Sequence, residues 1–139
     1  MTATLDTIDA LEALPVKIEY VGETTRDDWH CDQWRVTLSS KAGFQSFDYF
    51  TGLGLRTKPN PWGQRKPCRP KVADVLQSLI LDASAANENF HEWCANYGYS
   101  DDSIKAMNTY KACLETAQAL RKHFSPDILR QLRELLQDY

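Results

Sequence analysis

Six basic side chains lie close together in a stretch of the sequence that contains no acidic residue. They are Arg56, Lys58, Arg65, Lys66, Arg69 and Lys71. Several prolines and glycines in the same stretch disfavour helices and strands, so we predict a loop over residues 52–70. Cations beside an aromatic residue such as Trp62 are typical of phosphate contacts combined with base stacking. The loop predicts contact with nucleic acid or with an acidic protein; the alternative is that acids of the same molecule neutralise it.

The opposite charge is concentrated at the beginning of the chain. Residues 1–32 contain eight acidic and two basic residues, although the whole chain carries a net charge of only -3. A row of carboxylates can imitate a nucleic-acid backbone and occupy a basic groove. We predict that Asp27, Asp28 and Asp32 take part in such a contact, with solvated surface acids as the alternative interpretation. The contact residues predicted on the basic side are Arg56, Trp62, Arg65, Lys66 and Arg69.

The histidines and cysteines are few and scattered. His91 and Cys94 would lie one turn apart on a helix and could both face a zinc ion, but no spacing assigns the two further ligands that a tetrahedral site needs. Cys94 and Cys113 are more simply interpreted as small core residues. No Cys–His pair has a spacing that assigns catalytic roles. We therefore expect no metal, no cofactor and no enzymatic activity.

Length and composition set the class of protein. The chain has 139 residues, of which 42% are hydrophobic, which predicts a single domain over residues 1–139. We divide it into an acidic start with a β-hairpin (1–51), the basic loop (52–70) and a helical part (71–139). The apolar runs are much shorter than the ~20 residues of a membrane span, and the first residues lack the basic start of a signal peptide. These features predict a soluble cytoplasmic protein with no membrane partner.

The spacing of apolar residues predicts an α+β fold. Apolar and polar residues alternate over 16–21 and 34–39, and a turn leads from the second segment into residues 44–50. These segments predict a three-stranded antiparallel sheet. A short helix that Pro15 ends precedes the sheet, and three to four helices packed on one face follow it. The later helices are predicted at 72–83, 90–96, 103–124 and from 126 onward.

Two of these helices carry many apolar residues at helical spacing. In the long helix the predicted core face consists of Ile104, Met107, Tyr110, Leu114, Ala117 and Leu120. In the last helix leucine is more frequent than one core contact needs, which predicts a homodimer seam. The residues assigned to that seam are Leu129, Leu132 and Leu136.

Four blocks between residues 29 and 124 carry a resemblance to a known family. They are Phe47–Gly54 (FDYFTGLG), Ala73–Leu79 (ADVLQSL), Phe90–Cys94 (FHEWC) and Tyr97–Ser103 (YGYSDDS). Together they resemble a family of small accessory proteins of tailed bacteriophages and prophages. The resemblance implies a phage-borne protein that acts in the cytoplasm of a host bacterium, and it implies no activity.

The charge pattern and this resemblance together predict a function. We expect a non-enzymatic binding protein that inhibits a host defence complex handling nucleic acid, in the manner of anti-CRISPR proteins, by covering a charged surface. One alternative is a nucleic-acid-binding accessory protein for phage replication or recombination, which the basic loop favours. The other is a dimeric structural component of the phage, which the leucine-rich last helix favours.

Overall fold

The fold has the predicted α+β arrangement, in which a three-stranded antiparallel sheet is followed by four helices among the described residues. A computed structural model describes residues 7–26, 29–54 and 68–139. Its elements are a 3-10 helix (Asp9–Ala13), strands β1 (Val16–Arg26), β2 (Trp29–Ser40) and β3 (Gly43–Gly54), and helices α1 (Val72–Ala85), α2 (Phe90–Tyr97), α3 (Ile104–His123) and α4 (Pro126–Leu136). The sheet has the order β1-β2-β3.

Both hairpins reach further than the alternation of apolar residues predicts. Past Tyr20, strand β1 continues through an irregularity in register to Arg26, where it pairs with Trp29 of β2. A bulge inserts one residue and so shifts the alternation to the other face of the sheet. Consequently the apolar period ends near Tyr20 although the backbone pairing does not.

Capping residues place the helix ends close to their predicted positions. The Asn89 side chain accepts a hydrogen bond from the Glu92 N–H at 2.9 Å, and Gly98 ends α2 with a left-handed backbone, φ +74°. Ser125 accepts from the Ile128 N–H at 3.2 Å at the start of α4. Caps of this kind contribute about 1 kcal/mol each. The N-cap of α3 is Ser103, whose side chain accepts a hydrogen bond from the Ala106 N–H at 3.2 Å, and residues 100–102 form the turn before the helix.

The main core lies between one face of the sheet and helices α1, α3 and α4. Its fully buried side chains include Leu11, Val36, Leu38, Leu76 and Leu132. A second, smaller cluster surrounds Trp93 of α2, whose ring stacks on Tyr99 with the two ring centroids 4.9 Å apart. Within the described part of the chain, no helix combines the length and the apolar character that crossing a bilayer requires.

The leucines of α4 face the chain's own core. Leu129, Leu132 and Leu136 are 5%, 0% and 4% exposed and belong to the main core cluster. The prediction of a dimer seam at these three residues is wrong, because their apolar surface is already covered within a single chain.

The predicted core face of α3 is only partly correct. Ala117 and Leu120 are buried as predicted, and Tyr110 is half-buried in the Trp93 cluster. The other three predicted core residues are exposed to solvent: Ile104, Met107 and Leu114. The buried positions of α3 are instead occupied mainly by small side chains, namely Ala106, Cys113, Thr116, Ala117 and Ala119.

Candidate protein-docking surface

Most of the predicted contact residues cannot be placed. Two of them, Asp32 and Arg69, lie in the described part of the chain. The others lie outside the described residues and are Asp27, Asp28, Arg56, Trp62, Arg65 and Lys66. Arg26 and Gly54 are the last described residues before these stretches of the chain. They lie at the same end of the sheet, because Thr25 and Gly54 both pair with His30.

Asp32 is an interior residue and is not presented to a basic groove. It is 4% exposed and accepts a hydrogen bond from the Tyr20 hydroxyl at 3.2 Å. Tyr20 in turn packs on Trp34, with ring centroids 5.0 Å apart, and the Trp34 indole donates to the Thr51 hydroxyl at 2.7 Å. The prediction for Asp32 is therefore wrong. The correct position was open to sequence reasoning, because Asp32 has the same parity along β2 as the inward-facing Trp34 and Val36.

Arg69 is paired within the molecule. Its guanidinium Nη1 lies 3.4 Å from Glu12 Oε2 and also donates to the Pro70 carbonyl. The other carboxylate oxygen of Glu12 accepts a hydrogen bond from the Val72 N–H at 3.1 Å. An acid from the start of the chain thus caps α1 and neutralises a cation of the basic stretch. For this pair the alternative of internal neutralisation is confirmed, and Arg69 is not a free contact residue.

His91 and Cys94 lie in different surroundings on α2. The His91 imidazole Nδ1 is 3.0 Å from Asp101 Oδ2, and its side chain is largely exposed. Cys94 is buried beside Trp93, and this burial raises the pKa of its thiol. The two side chains therefore do not face a common ligand. Among the described residues, no three His, Cys, Asp or Glu side chains are grouped so that they could hold a metal ion.

A serine and a histidine that sequence reasoning missed meet where the hairpin contacts α3. Ser40 Oγ lies 2.7 Å from His123 Nδ1, although the two residues are 83 positions apart. His123 is 9% exposed, and its Nε2 has no hydrogen-bond partner among the described residues. Burial, with a smaller effect from Lys122, lowers the pKa of His123. A catalytic serine–histidine pair uses a carboxylate on the second ring nitrogen, whereas this pair joins the end of β2 to the end of α3.

The outward side of α3 combines apolar and basic side chains. Ile104, Met107 and Leu114 are 76%, 56% and 37% exposed. They lie on one side of the helix, because residues three, seven and ten positions apart share a face. We call this side, together with its cations, the outer face of α3.

The cations of this outer face have no partner within the described molecule. They are Lys111, Arg121 and Lys122, and all three are exposed. None of them forms an ion pair with a described residue. With Lys105, α3 contains four basic residues and one acid, Glu115, so the helix carries +3; because the whole chain carries -3, the other residues sum to -6. The outer face of α3 is a positive surface on a negatively charged protein.

Comparisons of the chain with protein-family models, curated proteins and solved structures give no match. The resemblance to phage accessory proteins stays a prediction. The exposed side chains of the outer face of α3 are therefore the basis for a function.

Proposed function

We propose that this chain is a non-enzymatic binding protein that attaches to an acidic partner through the outer face of α3. The observation that carries the proposal is the exposure of three large apolar side chains among three cations that have no partner in the described structure. Contiguous apolar groups exposed on a soluble domain mark interaction sites. Unpaired cations accelerate the encounter with an acidic surface, and burial of the apolar groups then stabilises the complex.

The apolar side chains favour an acidic protein over nucleic acid. Contacts with a phosphate backbone depend on cations and make no use of exposed aliphatic residues. Binding of single strands adds stacking of bases on exposed aromatic rings. The aromatic ring of α3, that of Tyr110, is instead half-buried against Phe90 and Trp93, and its hydroxyl donates to the Glu88 carbonyl. Ile104, Met107 and Leu114 fit the apolar part of a protein interface.

A charge reversal with a matched control tests this proposal. The probe is poly-L-glutamate, and binding is measured by biolayer interferometry at low salt. We expect the wild type to bind and the Lys111→Glu/Arg121→Glu variant to lose at least tenfold in affinity. The control variant Lys17→Glu/Lys41→Glu changes the net charge by the same amount on other exposed positions and should bind like the wild type. Equal loss in both variants, or no binding by the wild type, would overturn the proposal.

In the phage setting that the resemblance implies, the same surface serves the predicted inhibition of a host defence complex. We therefore propose that the protein inhibits such a complex by covering an acidic protein surface with the outer face of α3. In this proposal Asp32 and Arg69 are not contact residues. In a bacterium whose CRISPR system targets a plasmid, expression of the wild type should restore transformation. The Lys111→Glu/Arg121→Glu variant should not. If the wild type leaves plasmid interference unchanged, the proposed inhibition is wrong. The proposal of an acidic partner is then decided by the poly-L-glutamate experiment alone.

A further inference from the structure

The exposed residues of α3 follow the spacing of a coiled-coil seam. Six solvent-exposed positions recur in steps of three and four residues along the helix, namely Ile104, Met107, Lys111, Leu114, Gln118 and Arg121. Such a 3-4 repeat places side chains on one stripe that faces a single partner helix. At 1.5 Å per residue the stripe is about 26 Å long, which is enough for several turns of a second helix.

The stripe changes in character along its length. Its first half contains Ile104 and Met107, whereas its second half ends in Gln118 and Arg121. Lys111 interrupts the apolar positions ahead of Leu114. Polar residues at seam positions select the partner and fix its register. A matching helix therefore needs apolar residues opposite Ile104, Met107 and Leu114 and carboxylates opposite Lys111 and Arg121.

The fold itself does not require these side chains. The face of α3 that packs against the rest of the molecule is made largely of small residues, such as Ala106, Ala117 and Ala119. Met107 and Ile104 lie outside that packing. Their size and spacing therefore serve no packing contact within the described part of the chain and are available for a partner.

A second copy of this chain does not suit the stripe. Each α3 carries +3, so two copies packed face to face would bring like charges together with only Glu115 of each helix to offset them. A membrane surface is also a poorer match, because helices that lie in the bilayer interface bury Trp, Phe and Leu over a broad apolar face, whereas this stripe contains only three aliphatic side chains.

We infer that the partner of the outer face is an acidic amphipathic α-helix of another protein, packed along α3 at heptad spacing. This inference rests on the proposed function and names the structure of the partner segment. The apolar positions of the partner cover Met107 and Leu114, and its carboxylates pair with Lys111 and Arg121.

Two synthetic peptides of identical composition test the inference. One places Leu at the heptad core positions that face Ile104, Met107 and Leu114, Glu at the core positions that face Lys111 and Arg121, and Ala, Gln and Glu elsewhere so that it is helical. The other contains the same residues in scrambled order. Isothermal titration calorimetry with the full chain should show at least tenfold tighter binding of the patterned peptide. The Met107→Glu variant should lose at least tenfold in affinity for it. The matched control Leu81→Glu alters an equally exposed apolar residue on α1, 63% exposed, and should bind like the wild type.

The possible outcomes separate the inference from the proposed function. If both peptides bind equally and Lys111→Glu/Arg121→Glu abolishes both, the helical partner is wrong and the acidic partner stands. If neither peptide binds but duplex DNA or vesicles containing phosphatidylglycerol do, the protein partner itself is wrong. If sedimentation shows a dimer that Met107→Glu dissociates, the occupant is a second copy and the inference fails.

Discussion

Helices α4 and α3 place their large apolar side chains in opposite environments. In α4, Leu129, Leu132 and Leu136 are buried in the main core. In α3, Ile104 and Met107 are exposed to solvent. Both helices have apolar residues at helical spacing, which predicts a core face for α3 and a dimer seam for α4.

The difference arises from the small side chains of α3. Ala106, Ala117 and Ala119 let neighbouring elements approach the backbone of α3, and α1 packs along it. Close packing of small residues leaves no room for large ones on that face. On a helix with two candidate faces, the face with the larger side chains is therefore not always the buried one.

The largest effect is expected from Leu132→Ala in α4. Leu132 is 0% exposed, and truncation of a buried leucine to alanine costs about 2–5 kcal/mol in the free energy of unfolding. Urea denaturation followed by circular dichroism measures this loss, and light scattering should show an unchanged molecular mass. If the variant instead had the stability of the wild type and half its molecular mass, the predicted dimer seam would be correct.

A smaller loss is expected when a small residue of α3 is enlarged. Ala106 is 0% exposed and packs in the Trp93 cluster. We expect Ala106→Leu to lower the free energy of unfolding by about 1–3 kcal/mol, because overpacking displaces side chains that are already close-packed. The matched control is Ala112→Leu at an exposed position of the same helix, which should stay within about 0.5 kcal/mol of the wild type. Equal stability of the two variants would show that α3 tolerates large residues on its buried face.

The fold was predictable from local signals. The boundaries of α2 and α4 follow from Asn89, Gly98 and Ser125, because these residue types cap helices through contacts with their near neighbours. The strands follow from alternation until a bulge interrupts it after Tyr20. Each of these signals lies within a few residues of the feature that it determines.

The site was less predictable because it depends on distant contacts and on a choice between helix faces. Arg69 meets Glu12 from 57 positions away, so the charges of the basic stretch and the acidic start could not be paired from the sequence. Ser40 and His123 are further apart still. On α3, ranking residues by hydrophobicity favoured Met107 over Ala106, whereas packing favoured the smaller residue.

The buried face of α3 ends in a titratable group, His123, which makes the stability of the fold depend on pH. Burial lowers the pKa of His123 below its ordinary value of 6.5, with a smaller effect from Lys122. The unfolded chain therefore binds a proton near pH 6.5 and the folded chain only at lower pH. It follows that the free energy of unfolding is highest above pH 6.5 and falls as the pH is lowered through the folded pKa.

The variant His123→Asn tests this dependence, because an asparagine can retain the hydrogen bond to Ser40 but does not titrate. Between pH 4.5 and 7 its stability should depend less on pH than that of the wild type. The pH range excludes the main contribution of Asp127, whose pKa is lowered by hydrogen bonds from Arg130 and Gln131. Parallel stability curves would contradict the role given to His123.

The smallest effect is expected on the outer face itself. Met107 is 56% exposed, and alanine is at least as favourable as methionine in a helix. We expect Met107→Ala to change the free energy of unfolding by less than about 0.5 kcal/mol, in contrast to Leu132→Ala, measured by the same urea titration. If Met107→Ala cost several kcal/mol, its side chain would be part of the packed structure. The outer face would then be a second core surface, and neither an acidic partner nor a partner helix would be needed to explain its apolar residues.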